Sequence, residues 1–223
     1  MLLEDKLLAS RLRHDPEFLL RLHEVVETWG IADRPALFVQ ARPADGGARL
    51  DVDSPDVRNV LRAGVNGDNQ WWDNLEAPHV QRSLHGVTGM LNYSCPEWLV
   101  EAHRDGHLLA GVWTFPMAPT RGDDVPVVAD WYALFFRQFT EWAAKVAKAG
   151  GIEGEYLLTA TLMNASGLRY ATGAGQPSIS GDACTLQNAQ WLVYRAPMGT
   201  TAWTTLAESL ARGLPGLYRS RSR

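Results

Sequence analysis

The chain has 223 residues, 46% of them hydrophobic and 21% charged, with a formal net charge of −4 at pH 7. A chain of this length can build a core without disulfides or structural metals, and the composition excludes both a disordered chain and one embedded in a membrane. Its unusual feature is tryptophan, with nine against six Phe and six Tyr, two of them side by side at Trp71 and Trp72.

The basic residues are nearly all arginine, and Arg219, Arg221 and Arg223 alternate with serine at the end of the chain. Without those three charges the net charge moves from −4 to −7, which does not suit a general phosphate-binding surface. Cys95 and Cys184 are too few for a disulfide framework or a cysteine-based zinc site and fit a reducing compartment. Glu4 and Asp5 follow only two leucines, so no signal peptide is expected. No window approaches the roughly 18 apolar residues of a membrane span, and the expected location is the cytoplasm.

Residues 1–30 read as a helical lead. Asp15-Pro16-Glu17 is a helix start, and Phe18, Leu22, Val25, Val26 and Trp29 recur at helical spacing up to Gly30. Ala36 to Arg42 is strand-like, Pro43 to Gly47 a turn, and Ala48 to Val52 the returning strand of a hairpin. Ser54-Pro55-Asp56 opens a short helix to Ala63. Regularity then fails from Val65 to Gly89, apart from a helix near Pro78 to Leu84.

Ser94-Cys95-Pro96-Glu97 has the Ser-x-x-Glu form of a capping box, predicting a helix to Arg104 that Asp105-Gly106 ends. A strand follows from His107 to Phe115, and the longest helix spans about Val128 to Ala149. Glu155 to Met163 is a strand, Asn164 to Gly167 a turn into Leu168–Ala171, and Thr172 to Asp182 a Gly/Ser-rich segment. Gln190 to Arg195 reads as one strand, and a last helix begins at Thr200 or Thr201 and ends at Gly213 and Pro215. The pattern predicts one α+β domain over 1–218, with a mostly antiparallel sheet packed by the long helix, and a disordered basic tail over 219–223.

Four residue sets bear on chemistry. Cys95, at the opening turn of the predicted helix, would have its thiolate favoured by the helix dipole, with His103 as the nearest imidazole on that helix. The alternative is a small buried residue at a helix start, because a base eight residues along the same helix is two turns away. His103 and His107 have the four-residue spacing of zinc ligands on a helix, but Asp105-Gly106 ends the helix between them, while His79 and His85, six apart, do not share a face. No metal and no other cofactor is therefore expected.

Gly173-Ala174-Gly175-Gln176-Pro177-Ser178 lacks the third glycine and the lysine of phosphate-binding loops and reads as a surface loop, as do Asp123 and Asp124. Trp71 and Trp72, in a turn-rich polar stretch, either plug the core or, with Asp73 and His79, form a surface that binds a ligand or protein partner.

The run Arg34 to Pro43, the segment Leu99-Val100-Glu101-Ala102-His103-Arg104-Asp105-Gly106-His107-Leu108 and the helix end Ala147-Lys148-Ala149-Gly150 occur in an order that resembles the C-terminal accessory region of actinobacterial Schlafen AlbA_2-type ATP- or DNA-binding proteins. The AlbA_2 domain that precedes this region in the family has no counterpart here. The resemblance therefore implies an accessory role in a bacterial regulatory or defence system, and nucleic acid only by association.

The expected function is a non-catalytic binding or accessory module that contacts a protein partner or small ligand. The alternatives are a thiol-dependent hydrolase or transferase built on Cys95 with His103 as base, and a nucleic-acid-binding accessory domain that uses Arg219, Arg221 and Arg223. No membrane partner is expected.

Overall fold

Strand β1 (Ala36–Pro43) is buried on both faces along nearly its whole length, and a sheet grows outward from it on either side. In this computed structural model the described residues are 16–65, 75–91, 97–115, 117–119, 124–129, 132–172, 178–179, 183–191, 193–198 and 201–218. On one side of β1 come β5 (Leu108–Val112), β4 (Trp98–His103), β3 (Gly86–Met90) and β2 (His79–Arg82). On the other lies β8 (Glu155–Met163), which pairs with both β11 (Ala189–Gln190) and β12 (Tyr194–Pro197).

Every pairing in this eight-stranded sheet is antiparallel. A four-stranded sheet has the order β10 (Ser178–Ile179), β9 (Arg169–Thr172), β7 (Asp124–Ala129), β6 (Met117–Pro119), with β7 and β9 parallel. With its helices, the chain is a single α+β domain of the expected kind.

Because side chains alternate along a strand, the large sheet has two distinct faces. Leu37, Val39, Ala41, Val100, Ala110 and Leu158 point into the main core. That core also contains residues of α2 (Pro55–Ala63), the long helix α3 (Tyr132–Ala149) and α4 (Thr201–Gly216). The opposite face presents Ala36, Phe38, Met90, Leu99, Leu109 and Met163, which α1 (Pro16–Trp29) covers with Leu22, Val25 and Val26. The Phe38 ring lies over Gly111 of β5 and fills the space a side chain would take.

Several local expectations are corrected. Ala48 to Val52 forms no strand; Leu50 and Val52 are buried, and the Leu50 amide bonds the Arg104 carbonyl at 2.9 Å. The segment near Pro78 to Leu84 is strand β2, and α3 begins at Tyr132 because Val128 belongs to β7. Gln190 to Arg195 divides between β11 and β12, and Pro215 lies inside α4, which runs to Gly216.

The largest correction is at 94–104, where the expected capped helix gives way to strand β4 from Trp98. Trp98, Val100 and Ala102 face the main core while Leu99, Glu101 and His103 face the other way, so strand alternation governs the segment. Asp105-Gly106 belongs to the β4–β5 hairpin turn, in which the Gly106 amide bonds the His103 carbonyl at 2.9 Å. Gly106 has φ +79°, the left-handed conformation such turns require.

Among the described tryptophans, Trp98, Trp113, Trp142 and Trp203 are buried and Trp29 and Trp191 half-buried. Trp71, Trp72, Asp73, Cys95, Asp123, the segment 173–177 and Arg219, Arg221 and Arg223 lie outside the described residues. No described helix is long and apolar enough to cross a membrane.

Candidate functional site: a polar row beneath helix α1

The register of five strand pairings places Gln81, Thr88, Glu101, Leu109, Gln40 and Thr159 in one row across the sheet, from β2 to β8. The row lies on the face that carries α1, and Thr88, Glu101, Gln40 and Thr159 are buried. Buried polar groups of this kind need hydrogen-bond partners. Thr88 Oγ1 donates to Glu101 Oε1 at 2.8 Å, and Thr159 Oγ1 donates to the Trp191 carbonyl at 2.9 Å.

His103, two residues beyond Glu101 on the same strand face, places its Nε2 2.8 Å from Glu101 Oε2. A carboxylate only accepts, so Nε2 of His103 carries the proton. Its Nδ1 is buried without a hydrogen-bond partner among the described residues.

His103 and His107, expected to be separated by a helix end, instead face each other across the hairpin with ring centroids 5.6 Å apart. His85, in the β2–β3 turn, stacks on the other side of His103 at 5.7 Å. The three rings continue into neighbouring elements, with His107 Nε2 3.2 Å from Gln40 Oε1 and His85 Nε2 3.0 Å from Glu24 Oε1 on α1. Arg21, also on α1, donates to Glu24 at 3.0 Å and to Asp105 at 2.8 Å. Helix α1 is thereby tied to both the β2–β3 and the β4–β5 turns.

The electrostatics follow from burial. Burial, aided by the neighbouring His103, holds His107 well below the usual imidazole range, so the ring is neutral. For Asp105 burial opposes ionisation, yet the His107 amide and the Arg21 guanidinium outweigh it and hold the carboxyl below its ordinary value.

Above the β2 end of the row, a groove of about 610 Å³ opens between α1 and the β2–β3 turn. Gln81, Thr88 and Glu101 reach it from the sheet, Glu24 and His85 from its sides, and Val25, Trp29, Leu20 and Leu84 supply apolar surface. Leu84 is 85% exposed and Leu20 54%. A smaller cavity of about 240 Å³ at the other end of α1 contains Arg42, Arg21, Asp105 and His107. Its charges are matched within the protein, Arg42 to Glu17 at 3.1 Å and Arg21 to Asp105.

Of the residues singled out from sequence, His103 joins this network. His79 is an exposed residue of β2, opposite Met90, and does not line the groove. Cys95 lies outside the described residues, and the helix expected to activate its thiol is replaced by strand from Trp98. Glu101, Thr88, His85 and Glu24 were not anticipated. The available signal was Glu101-x-His103 followed by Asp-Gly, which in strand periodicity places two polar groups on one face just before a hairpin turn.

Ser83 Oγ is buried without a hydrogen-bond partner among the described residues, and the Thr88 hydroxyl is committed to Glu101. The buried Cys184 thiol, pushed up in pKa by burial, contacts the Leu186 carbonyl. Among the described residues, none of these three groups is hydrogen-bonded to an imidazole. Among the described residues, no group of three or more His, Cys, Asp or Glu is placed to hold a metal ion. No family model, curated protein or solved structure matches the chain.

Proposed function

We propose that the protein is a non-catalytic binding module whose ligand sits in the groove between α1 and the β2–β3 turn. The observation that carries this reading is a cavity of about 610 Å³ with exposed leucines at its mouth and a buried, hydrogen-bonded polar floor. Its volume lies in the range of about 300–1,000 Å³ that small-molecule sites occupy, and the mixture of apolar walls with a few fixed polar groups is how such sites orient a ligand.

A nucleic-acid role draws less support. Arg21, Arg42 and Arg195 are each paired with a carboxylate of the same chain, which weakens the case for a general phosphate-binding surface, although Arg58, Arg82 and Arg104 share the single carboxylate of Asp53. An accessory role of the kind the Schlafen-type resemblance implies is compatible with a module that only binds.

The test is a screen of small amphiphilic fragments followed by backbone amide NMR. Shifts clustered on Gln81, Thr88, Glu101 and Trp29, lost in a Leu20→Ser/Leu84→Ser double variant that keeps its melting temperature, support the reading. Fragment binding unchanged in that variant overturns it.

A further inference from the structure

Resting on the groove as the binding site, we infer that its ligand is a small cationic amphiphile, with an ammonium or guanidinium head at Glu101 and an apolar body against Leu20, Trp29 and Leu84. The charges of the lining decide the sign. Among the described residues that line the groove are three carboxylates, Glu24, Glu27 and Glu101, one guanidinium, Arg82, and two imidazoles, His23 and His85. That guanidinium is directed to Asp53, at 3.3 Å from Nε and 3.0 Å from Nη2.

Glu24 already accepts from Arg21 and meets His85, whereas among the described residues the ion partner of Glu27 is the distant His23, at 4.0 Å. An anionic ligand would therefore meet the carboxylates of Glu27 and Glu101, whereas a cation would complement them.

Glu101 provides the specific contact. Its two oxygens each have one partner, the Thr88 hydroxyl and the His103 imidazole. A carboxylate offers about four lone-pair positions, so two remain for a ligand donor. The residue is 7% exposed and that exposure opens into the groove. A charge-assisted hydrogen bond formed there is shielded from water and stronger than one at the surface.

The apolar body is indicated independently by Leu84 and Leu20, large side chains left in solvent at the mouth. The half-buried Trp29, which also lines the groove, adds an aromatic face suited to a ring or a cation.

The experiment compares three near-isosteres, phenethylamine, 2-phenylethanol and phenylacetate, titrated into the intact chain and followed by backbone amide NMR. The amine is expected to bind at least about tenfold more tightly than the alcohol or the carboxylate, with shifts at Thr88 and Glu101. In Glu101→Gln that preference is expected to fall to about threefold or less. Glu27→Gln, a change at an exposed position that leaves the floor intact, is expected to weaken the amine about twofold.

If all three compounds bind the groove equally, or phenylacetate binds best, the cation assignment is overturned while the groove reading stands. If none perturbs a groove residue, both fail. The comparison in the unaltered chain decides the matter even if Glu101→Gln does not fold.

Discussion

Nε2 of His103 lies 2.8 Å from Oε2 of Glu101, two residues back on the same face of β4, with both side chains almost wholly buried. A strand brings residues i and i+2 to the same side, so the pair is built locally, while the surrounding contacts come from β3, the β4–β5 turn and α1. A buried carboxylate is tolerated only when its acceptor sites are met, and here Thr88 and His103 meet one on each oxygen. The pair therefore has a structural role, as an anchor for the polar row, and its Glu101 also lines the groove proposed to bind a ligand.

Removing the carboxylate should expose the structural role. Glu101→Leu leaves the Thr88 hydroxyl and the His103 Nε2–H buried without an acceptor, and is expected to destabilise the fold by about 3 kcal/mol. Thr88→Val deletes one charge-assisted hydrogen bond and is expected to cost about 2 kcal/mol. Urea denaturation checks both. A Glu101→Leu variant as stable as the parent would mean that the row does not depend on its carboxylate.

His107 gives a pH dependence whose sign is fixed by its burial. Its folded-state pKa lies well below the ordinary value of 6.5, owing first to burial and then to His103. Above about pH 6.5 the ring is neutral in both states; as pH falls below that, the unfolded chain takes a proton that the folded chain refuses, so stability declines. Asp105, whose carboxyl is held below its ordinary 3.8, adds a further loss at more acidic pH. His107→Gln should flatten the decline below about pH 6.5, as read from denaturation midpoints. An unchanged slope would assign it to other groups.

The β4–β5 turn can be tested at Gly106. Its φ of +79° is strained for any residue with a side chain, and a Cβ there would also lie 2.8 Å from Pro43 Cγ. Gly106→Ala is expected to cost about 2 kcal/mol, and circular dichroism melts should show a lower transition temperature with an unchanged folded spectrum. Since the turn sets the distance between His103 and His107, the same variant should alter the imidazole resonances of both.

Much of the architecture was legible in the sequence because long periodic segments dominate it. The stripe of Phe135, Phe139, Trp142 and Val146 fixes α3, and the apolar run from Ala36 fixes β1. The site was not legible, because its row draws on six strands that only the register aligns, and α1 and the β2–β3 turn supply the rest. The misreading of 94–104 was decisive here. Ser-x-x-Glu is a local helix signal, but β4 is buried on both faces between β3 and β5, and tertiary pairing overrode it. Once that segment is read as helix, Glu101 and His103 point in different directions and the Asp-Gly hairpin becomes a helix stop. His85 and Glu24 carried no signal of their own, since their meeting depends on how α1 crosses the sheet.

The contact between Phe38 and Gly111 offers a final test of how the α1 face of the sheet is packed. Phe38 is fully buried, and a Cβ on Gly111 would collide with its ring. Phe38→Ala is expected to cost about 4 kcal/mol, through lost burial and the cavity left behind. Gly111→Ala, which overpacks the same space, is expected to cost about 2 kcal/mol. The two changes share one volume, so their effects should not add: in Phe38→Leu/Gly111→Ala the smaller side chain makes room for the new methyl, and the double variant should be more stable than the sum of its single changes predicts, by about 1 kcal/mol. Chemical denaturation of the four members of that cycle measures the coupling. Strict additivity would show that the ring moves aside freely and that Gly111 is small for some other reason.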